Sequence, residues 1–175
     1  MSKILLPPDD RSKATAGITL QPFDIEKEDP QLFALLQDHA EARKKLQSPQ
    51  ASGSWFRSGI GPAPVLGGTW YRGTILTPFS TPPSTGIVDN INYSYDNSYF
   101  GEWTSEISVR MVITAGSSSW LADITSANSG TVGASGYGIP ADCQVQFQMK
   151  VGMIPGTLYD PPYILSNEVT VLFNY

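Results

Sequence analysis

The sequence predicts a mainly β protein, an antiparallel β-sandwich preceded by an extended N-terminal arm and one α-helix. Three observations carry this. From Cys143 to Val151, apolar Cys143, Val145, Phe147, Met149 and Val151 alternate with Gln144, Gln146, Gln148 and Lys150. Side chains of a strand switch faces at every residue, so this reads as a strand with one dry and one wet face. The pattern recurs at the C-terminus, where Val169, Val171, Phe173 and Tyr175 share a face. The composition agrees: charged residues make up 15% of the 175-residue chain, against roughly 25% in an average soluble domain, while Gly and Pro are frequent.

Residues 1–28 read as an arm, mixing Pro, charge and small residues without a sustained period. Its apolar pieces, Ile4-Leu5-Leu6 and Ile18 with Leu20, are expected to dock onto a neighbouring subunit. Ile4, Leu5 and Leu6 are followed at once by Pro7, Pro8, Asp9 and Asp10, a poor match to a secretory leader. No apolar run approaches the ~18 residues of a membrane span.

Residues 29–47 predict the helix. Asp29 suits the N-cap and Pro30 the first helical position, where a missing N–H costs nothing. Acidic Glu26, Glu28 and Asp29 precede it and basic Arg43, Lys44 and Lys45 end it, matching the helix dipole. Leu32, Leu35, Leu36, His39 and Leu46 form one stripe, with Phe33 beside it. A helix of this length is marginal alone and needs a partner surface, its own sheet or the helix of another copy.

Residues 48–68 predict a linker, because Pro49, Gly53, Gly59, Gly61, Pro62, Pro64, Gly67 and Gly68 interrupt regular structure. Trp55, Phe56 and Ile60 are expected to anchor it. Residues 69–175 predict the sandwich, from strand signals at Trp70–Leu76, Ile91–Tyr95, Ile107–Ile113, Trp120–Ile124, Cys143–Val151 and Val169–Tyr175. The stretch Ser126–Gly138 reads as a loop of small residues.

Charge narrows the function. Residues 1–50 hold seven basic and eight acidic groups, residues 51–175 four and eight, for a net −5 overall. Nucleic-acid affinity rests on cationic contacts, so an acidic, Lys-poor sheet domain argues against direct nucleic-acid binding. Chemistry is equally sparse. His39 is the only histidine and Cys143 the only cysteine, so an ordinary zinc site is out of reach. Cys143 falls on the dry face of its strand, a poor place for a nucleophile. Asp89, Asn90, Asn92, Asp96 and Asn97 offer oxygen ligands but fit turn chemistry better than a calcium loop. Gly130, Gly133, Gly136 and Gly138 lack the Lys and following helix of a phosphate loop. Glu102 and Glu106, four residues apart, are a weak paired-carboxylate signal. The expectation is a protein that is not an enzyme and has no cofactor or metal.

Two resemblances add to this. The stretch Gln144–Val171, an alternating strand, a Pro-rich loop and then Ser166-Asn167-Glu168-Val169-Thr170-Val171, resembles the end of a fibronectin type III or immunoglobulin-like module. It covers about a quarter of the chain and implies an immunoglobulin-like or jelly-roll-like sandwich; Trp70 and Trp103 are both possible counterparts of the core Trp of such modules. The arm, helix and acidic β-domain together resemble small bacteriophage virion proteins. That likeness implies a capsid decoration (cement) or tail-accessory subunit, made in the host cytoplasm and located in the virion. Its partners would be the major capsid or tail protein and further copies of itself, in a homo-oligomer with a trimer favoured. The expected interface residues are Ile4, Leu5, Leu6, Leu32, Phe33, Leu36 and Trp55, and deletion of residues 1–47 is expected to leave a folded β-domain that no longer assembles. The alternative is a carbohydrate- or receptor-binding module that stacks ligands on Tyr99, Trp103 and Tyr159.

Overall fold

The structure, a computed structural model, describes residues 18–41 and 51–175, and for residues 37–41 the backbone alone. Ile4, Leu5 and Leu6 lie outside the described residues, as do the helix-end residues 42–47. The strands, in chain order, are β1 (Leu20–Pro22), β2 (Ser52–Gly59), β3 (Leu66–Gly67), β4 (Tyr71–Arg72), β5 (Ile87–Tyr95), β6 (Ile107–Ala115), β7 (Ser118–Asp123), β8 (Ser129–Gly133), β9 (Gln144–Val151), β10 (Gly156–Thr157) and β11 (Asn167–Asn174). Two helices, α1 (Ile25–Glu28) and α2 (Pro30–Glu41), follow β1.

The strands form a mainly β, antiparallel sandwich. One sheet has the order β1-β7-β6-β9-β4, the other β2-β11-β5-β8, and β3 and β10 pair as a small ribbon. Met111, Ile113, Val145, Phe147 and Met149 of the first sheet and Ile91, Tyr93, Val169 and Val171 of the second are buried in one core. Alternation put these residues on inward faces, and burying each large apolar side chain contributes about 1.5–3 kcal/mol. The β6–β7 hairpin turns at Gly116, whose φ of 59° supplies the left-handed conformation that a two-residue hairpin loop requires. β9 and β11 fall in opposite sheets, whereas the last two strands of an immunoglobulin-type module share one.

A second, smaller core lies on the outer face of the five-stranded sheet. Phe23, Ile25, Leu32 and Leu36 pack on Val112, with Phe33, Ile75 and Leu121 at the margin. Asp29 caps α2 as expected, its Oδ1 accepting from the Leu32 N–H at 3.1 Å. The same oxygen pairs with Arg72 at 3.0 Å, tying the helix start to β4. The protein therefore has three layers: helices, five-stranded sheet, four-stranded sheet.

Several expectations are corrected by this arrangement. Leu32 and Leu36 are buried against the chain's own sheet, so their stripe is not a surface for another subunit, and Phe33 sits half-buried at its edge. Ile18 and Leu20, expected to reach a neighbour, complete the main core, because β1 extends the five-stranded sheet beside β7. Residues 52–59, expected within a linker, are a full strand. The glycines that suggested irregularity are close approaches: a Cβ on Gly53 would stand 2.7 Å from the Phe173 ring. Trp55 is likewise a core residue, and its Nε1 donates to the Ala141 carbonyl at 2.7 Å. Residues 129–133, expected in a loop, form β8, where Gly130 lies against the Tyr93 ring.

The wet face of β9 is also dry. Gln144, Gln146 and Gln148 are buried, because the helices and the 70–76 segment cover that side. A polar ladder accommodates Gln146 and Gln148. Arg110 Nε donates to Gln148 Oε1 at 2.8 Å, Gln148 Nε2 to Gln146 Oε1 at 3.0 Å, and Gln146 Nε2 to the Gly73 carbonyl at 3.0 Å. The Arg110 guanidinium stacks 3.9 Å from the Trp70 ring centroid. Burial pushes its pKa down to about 10, against the pull of Glu28 and Asp29, so it stays a cation at neutral pH.

Candidate functional site

The surface with most functional character lies at one end of the sandwich, where the 3-10 helix Gly101–Glu106 meets the loop that follows β9. Phe100, buried and stacked on Tyr95 at 6.2 Å, anchors the start of that helix, and Gly101 turns the chain with φ 54°. Trp103 is thereby held half-buried above the loop. Its Nε1 donates to the main-chain oxygens of Tyr159, at 2.9 Å, and Asp160, at 3.1 Å. Asp160 is the one non-glycine described with a left-handed backbone (φ 48°), a conformation Asp tolerates better than most residues.

The loop is braced from its other side as well. Gly152, at φ 60°, turns the chain out of β9, and its N–H donates to the Glu106 carbonyl at 2.8 Å. The Gly68 N–H donates to the Val151 carbonyl at 2.9 Å, and β3 pairs with β10. Gly67 packs so closely on the Ile154 carbonyl that a Cβ there would stand 2.5 Å from the oxygen. This brace presents Met153, Ile154 and Tyr159 to solvent at 78%, 83% and 83% exposure. Val65 and Leu66 beside them are also exposed.

Two hollows flank Trp103. A cleft of about 650 Å³ runs between the indole and the loop, bounded by Glu106, Val151, Met153, Ile154 and Leu158. A notch of about 200 Å³ is lined by Glu102, Trp103, Glu106, Tyr159 and Asp160. Both glutamates singled out by spacing line the notch, together with Asp160. Glu102, Glu106 and Asp160 are all exposed.

Of the three residues expected to stack on a ligand, Trp103 and Tyr159 meet here. Tyr99 does not line either hollow; it stacks on Tyr163, ring centroids 4.6 Å apart. Met153 and Ile154 were not singled out from sequence. The available signal was a pair of large apolar residues inside a Gly/Pro-bounded turn, where polar residues are the rule.

The other candidates are dispersed. Cys143 is buried in the main core and the His39 side chain lies outside the described residues. Asp89 accepts from Asn90 Nδ2 at 3.0 Å and from the Ser135 hydroxyl. Among the described residues no three His, Cys, Asp or Glu side chains converge to hold a metal ion, and no helix is long and apolar enough to cross a membrane.

No protein-family model and no curated relative matches the chain. Among solved structures it is similar to FLHE, with a TM-score of 0.57 and 21% identity over 71% of this chain and 99% of that one. It also aligns with the capsid of Ralstonia phage GP4, at a TM-score of 0.35 and 12% identity over 78% of this chain and 94% of that one. The first likeness is one of fold.

Proposed function

We propose that this chain is a non-enzymatic structural subunit of a phage-like virion, a capsid decoration or tail-accessory protein. In this reading it docks on other virion proteins, such as the major capsid or tail protein, through the rim around Trp103. The observation that supports this is the combination of high exposure and rigid support at Met153, Ile154 and Tyr159. Contiguous apolar surface of this kind marks contact sites. A backbone already braced by Trp103 and the β3–β10 ribbon loses little freedom on docking. The docking role moves here from Leu32, Leu36 and Trp55, which are consumed by the chain's own cores. A ring of three subunits built on the helix stripe loses its physical basis for the same reason, although self-association remains part of the proposal.

The test is direct. Phage-like particles purified from the source cells on a density gradient should carry the chain in many ordered copies, seen as repeated density on a shell or tube by electron microscopy. A chain carrying both Met153→Ser and Ile154→Ser should keep its melting temperature and drop out of the particle fraction. Absence of the native chain from every particle fraction would sink the reading.

A carbohydrate- or receptor-binding role is favoured by one observation: Tyr159 stands exposed beside a notch lined by three acidic residues that can accept sugar hydroxyls. Glycan-array binding lost in Tyr159→Ala, with the fold intact, would favour it. Trp103→Ala is less clean, because Trp103 holds the loop.

A further inference from the structure

We propose that β2 is a self-association edge, pairing antiparallel with β2 of a second copy across a two-fold axis to join two four-stranded sheets into one of eight strands. The inference stands apart from the virion reading and starts from hydrogen-bond direction. Ala51 and Tyr175 exchange both main-chain hydrogen bonds. Bonded and non-bonded pairs alternate along an antiparallel ladder. With the register Gly53↔Phe173, Trp55↔Val171 and Arg57↔Val169, these odd-numbered residues spend their N–H and C=O groups on β11. The main-chain groups of Ser52, Ser54, Phe56 and Ser58 therefore point away from the sheet. β2 is the end strand of its sheet, and no strand among the described residues pairs with its outer side.

The other edges are blunted in ways this one is not. β1 has three residues and ends in Pro22, β4 has two residues, and β8 has five with two glycines. β2 has eight, with no Pro and no Lys. Long edges that lack proline and lysine are the ones that recruit another strand.

A second copy is the occupant that fits. When Trp55 faces Trp55 of the partner subunit at the axis, the bulky residues that follow it meet small ones. Phe56 falls opposite the partner's Ser54, and Arg57 opposite the partner's Gly53. Arg57 is the strand's one charged residue, and this register keeps the two arginines from facing each other. Four residues on each strand point outward, so the pairing forms about eight main-chain hydrogen bonds. At roughly one bond per 100–200 Å² of interface, that corresponds to about 800–1,600 Å², a range that includes the ~1,000 Å² a specific interface needs. Exposed Phe56 and Phe79 add apolar area beside the edge; Phe79 is held there by Arg57, whose guanidinium lies 4.1 Å from the ring centroid.

Ser54→Pro tests this with little risk to the fold. Its N–H points outward, so proline removes a donor from the edge and none from the β2–β11 ladder. The full chain should show twice its 19.0 kDa mass by light scattering at tens of micromolar, with slowed exchange at the amides of Ser54, Phe56 and Ser58. Ser54→Pro should be monomeric, with the dimer dissociation constant raised at least tenfold and an unchanged circular dichroism spectrum. Ser54→Lys, which places a charge on the exposed edge, should do the same and serves if the proline variant misfolds. A monomeric native chain, or a dimer that survives both substitutions, overturns the proposal. So does edge protection in a monomer, which would mean that a segment of the same chain covers β2.

Discussion

At the scale of single residues, the most informative groups are the polar ones inside the protein. Gln144 is buried with neither side-chain nitrogen nor oxygen hydrogen-bonded among the described residues, and its cross-strand neighbour Thr114 and, one strand further, Ser119 are in the same condition. An unpaired buried polar group costs about 1–3 kcal/mol. Gln144→Leu should therefore raise stability by about 1 kcal/mol or more in chemical denaturation, whereas most core substitutions lower it. Arg110→Ala should act the opposite way, since it strands Gln148 Oε1 and empties the space over Trp70; a loss of about 1–3 kcal/mol is expected on the same scale. The tyrosines supply a pH signature. Burial raises the pKa of Tyr93 and, further, that of Tyr95, whose hydroxyl donates to the Ile124 carbonyl at 3.0 Å. The folded state thus holds these protons at pH values where the unfolded chain, with tyrosine near 10, releases them. Their contribution is complete below pH ~10 and is lost as pH rises above it, because the unfolded chain then binds fewer protons. Melting temperature measured from pH 8 to 11.5 should fall above pH ~10, with a shallower fall in Tyr95→Phe.

At the scale of elements, what was legible in the sequence depended on how many surfaces each element touches. β5, β6 and β11 carry apolar residues at every second position and were visible from that alone, as was the α2 start with its Asp29-Pro30 signal. β2 and β8 were not. Their glycines are there because Phe173 and Tyr93 lie across them, and such a reason is tertiary. β9 was recognised as a strand, yet its glutamine face was taken as wet. Nothing local to Gln144–Gln148 reveals that a segment a hundred residues earlier will cover it. The same distance hid the role of α2. Its stripe demanded a partner, and sequence spacing does not distinguish the chain's own sheet from another copy. The candidate site was legible only as scattered aromatics, since its cleft arises from the Trp103 bonds to a loop 56 and 57 residues away. The corrected role of α2 is measurable. Leu32→Ala and Leu36→Ala should each cost about 2–5 kcal/mol, the usual range for buried leucines, without shifting the oligomer equilibrium of the chain that remains folded. An interface helix would give the reverse, dissociation at little cost in melting temperature.

At the scale of the whole molecule, the five-stranded sheet is the shared wall of both cores. Met111 and Ile113 of β6 face the other sheet, while Val112 between them faces the helices. Loss of either core bares one face of strands whose other face lines the remaining core. Removing the N-terminal segment would uncover Val112, Leu121 and the glutamine ladder together and withdraw Ile18 and Leu20 from the main core. Deletion of residues 1–47 is therefore expected to give an aggregating or unfolded product, in place of the folded domain that an independent arm would leave. The intact chain should then melt as one cooperative unit, although its N-terminal helices and C-terminal strands are far apart in sequence. Calorimetry tests this with one ratio. If helices and sandwich unfold together, the calorimetric and van't Hoff enthalpies agree, and helix loss in the far ultraviolet coincides with loss of near-ultraviolet signal from the core tyrosines. Two separated transitions, with the helical signal lost first, would show instead that α1 and α2 are a detachable cover and that the glutamine face of β9 can stand in water, as its alternation suggests.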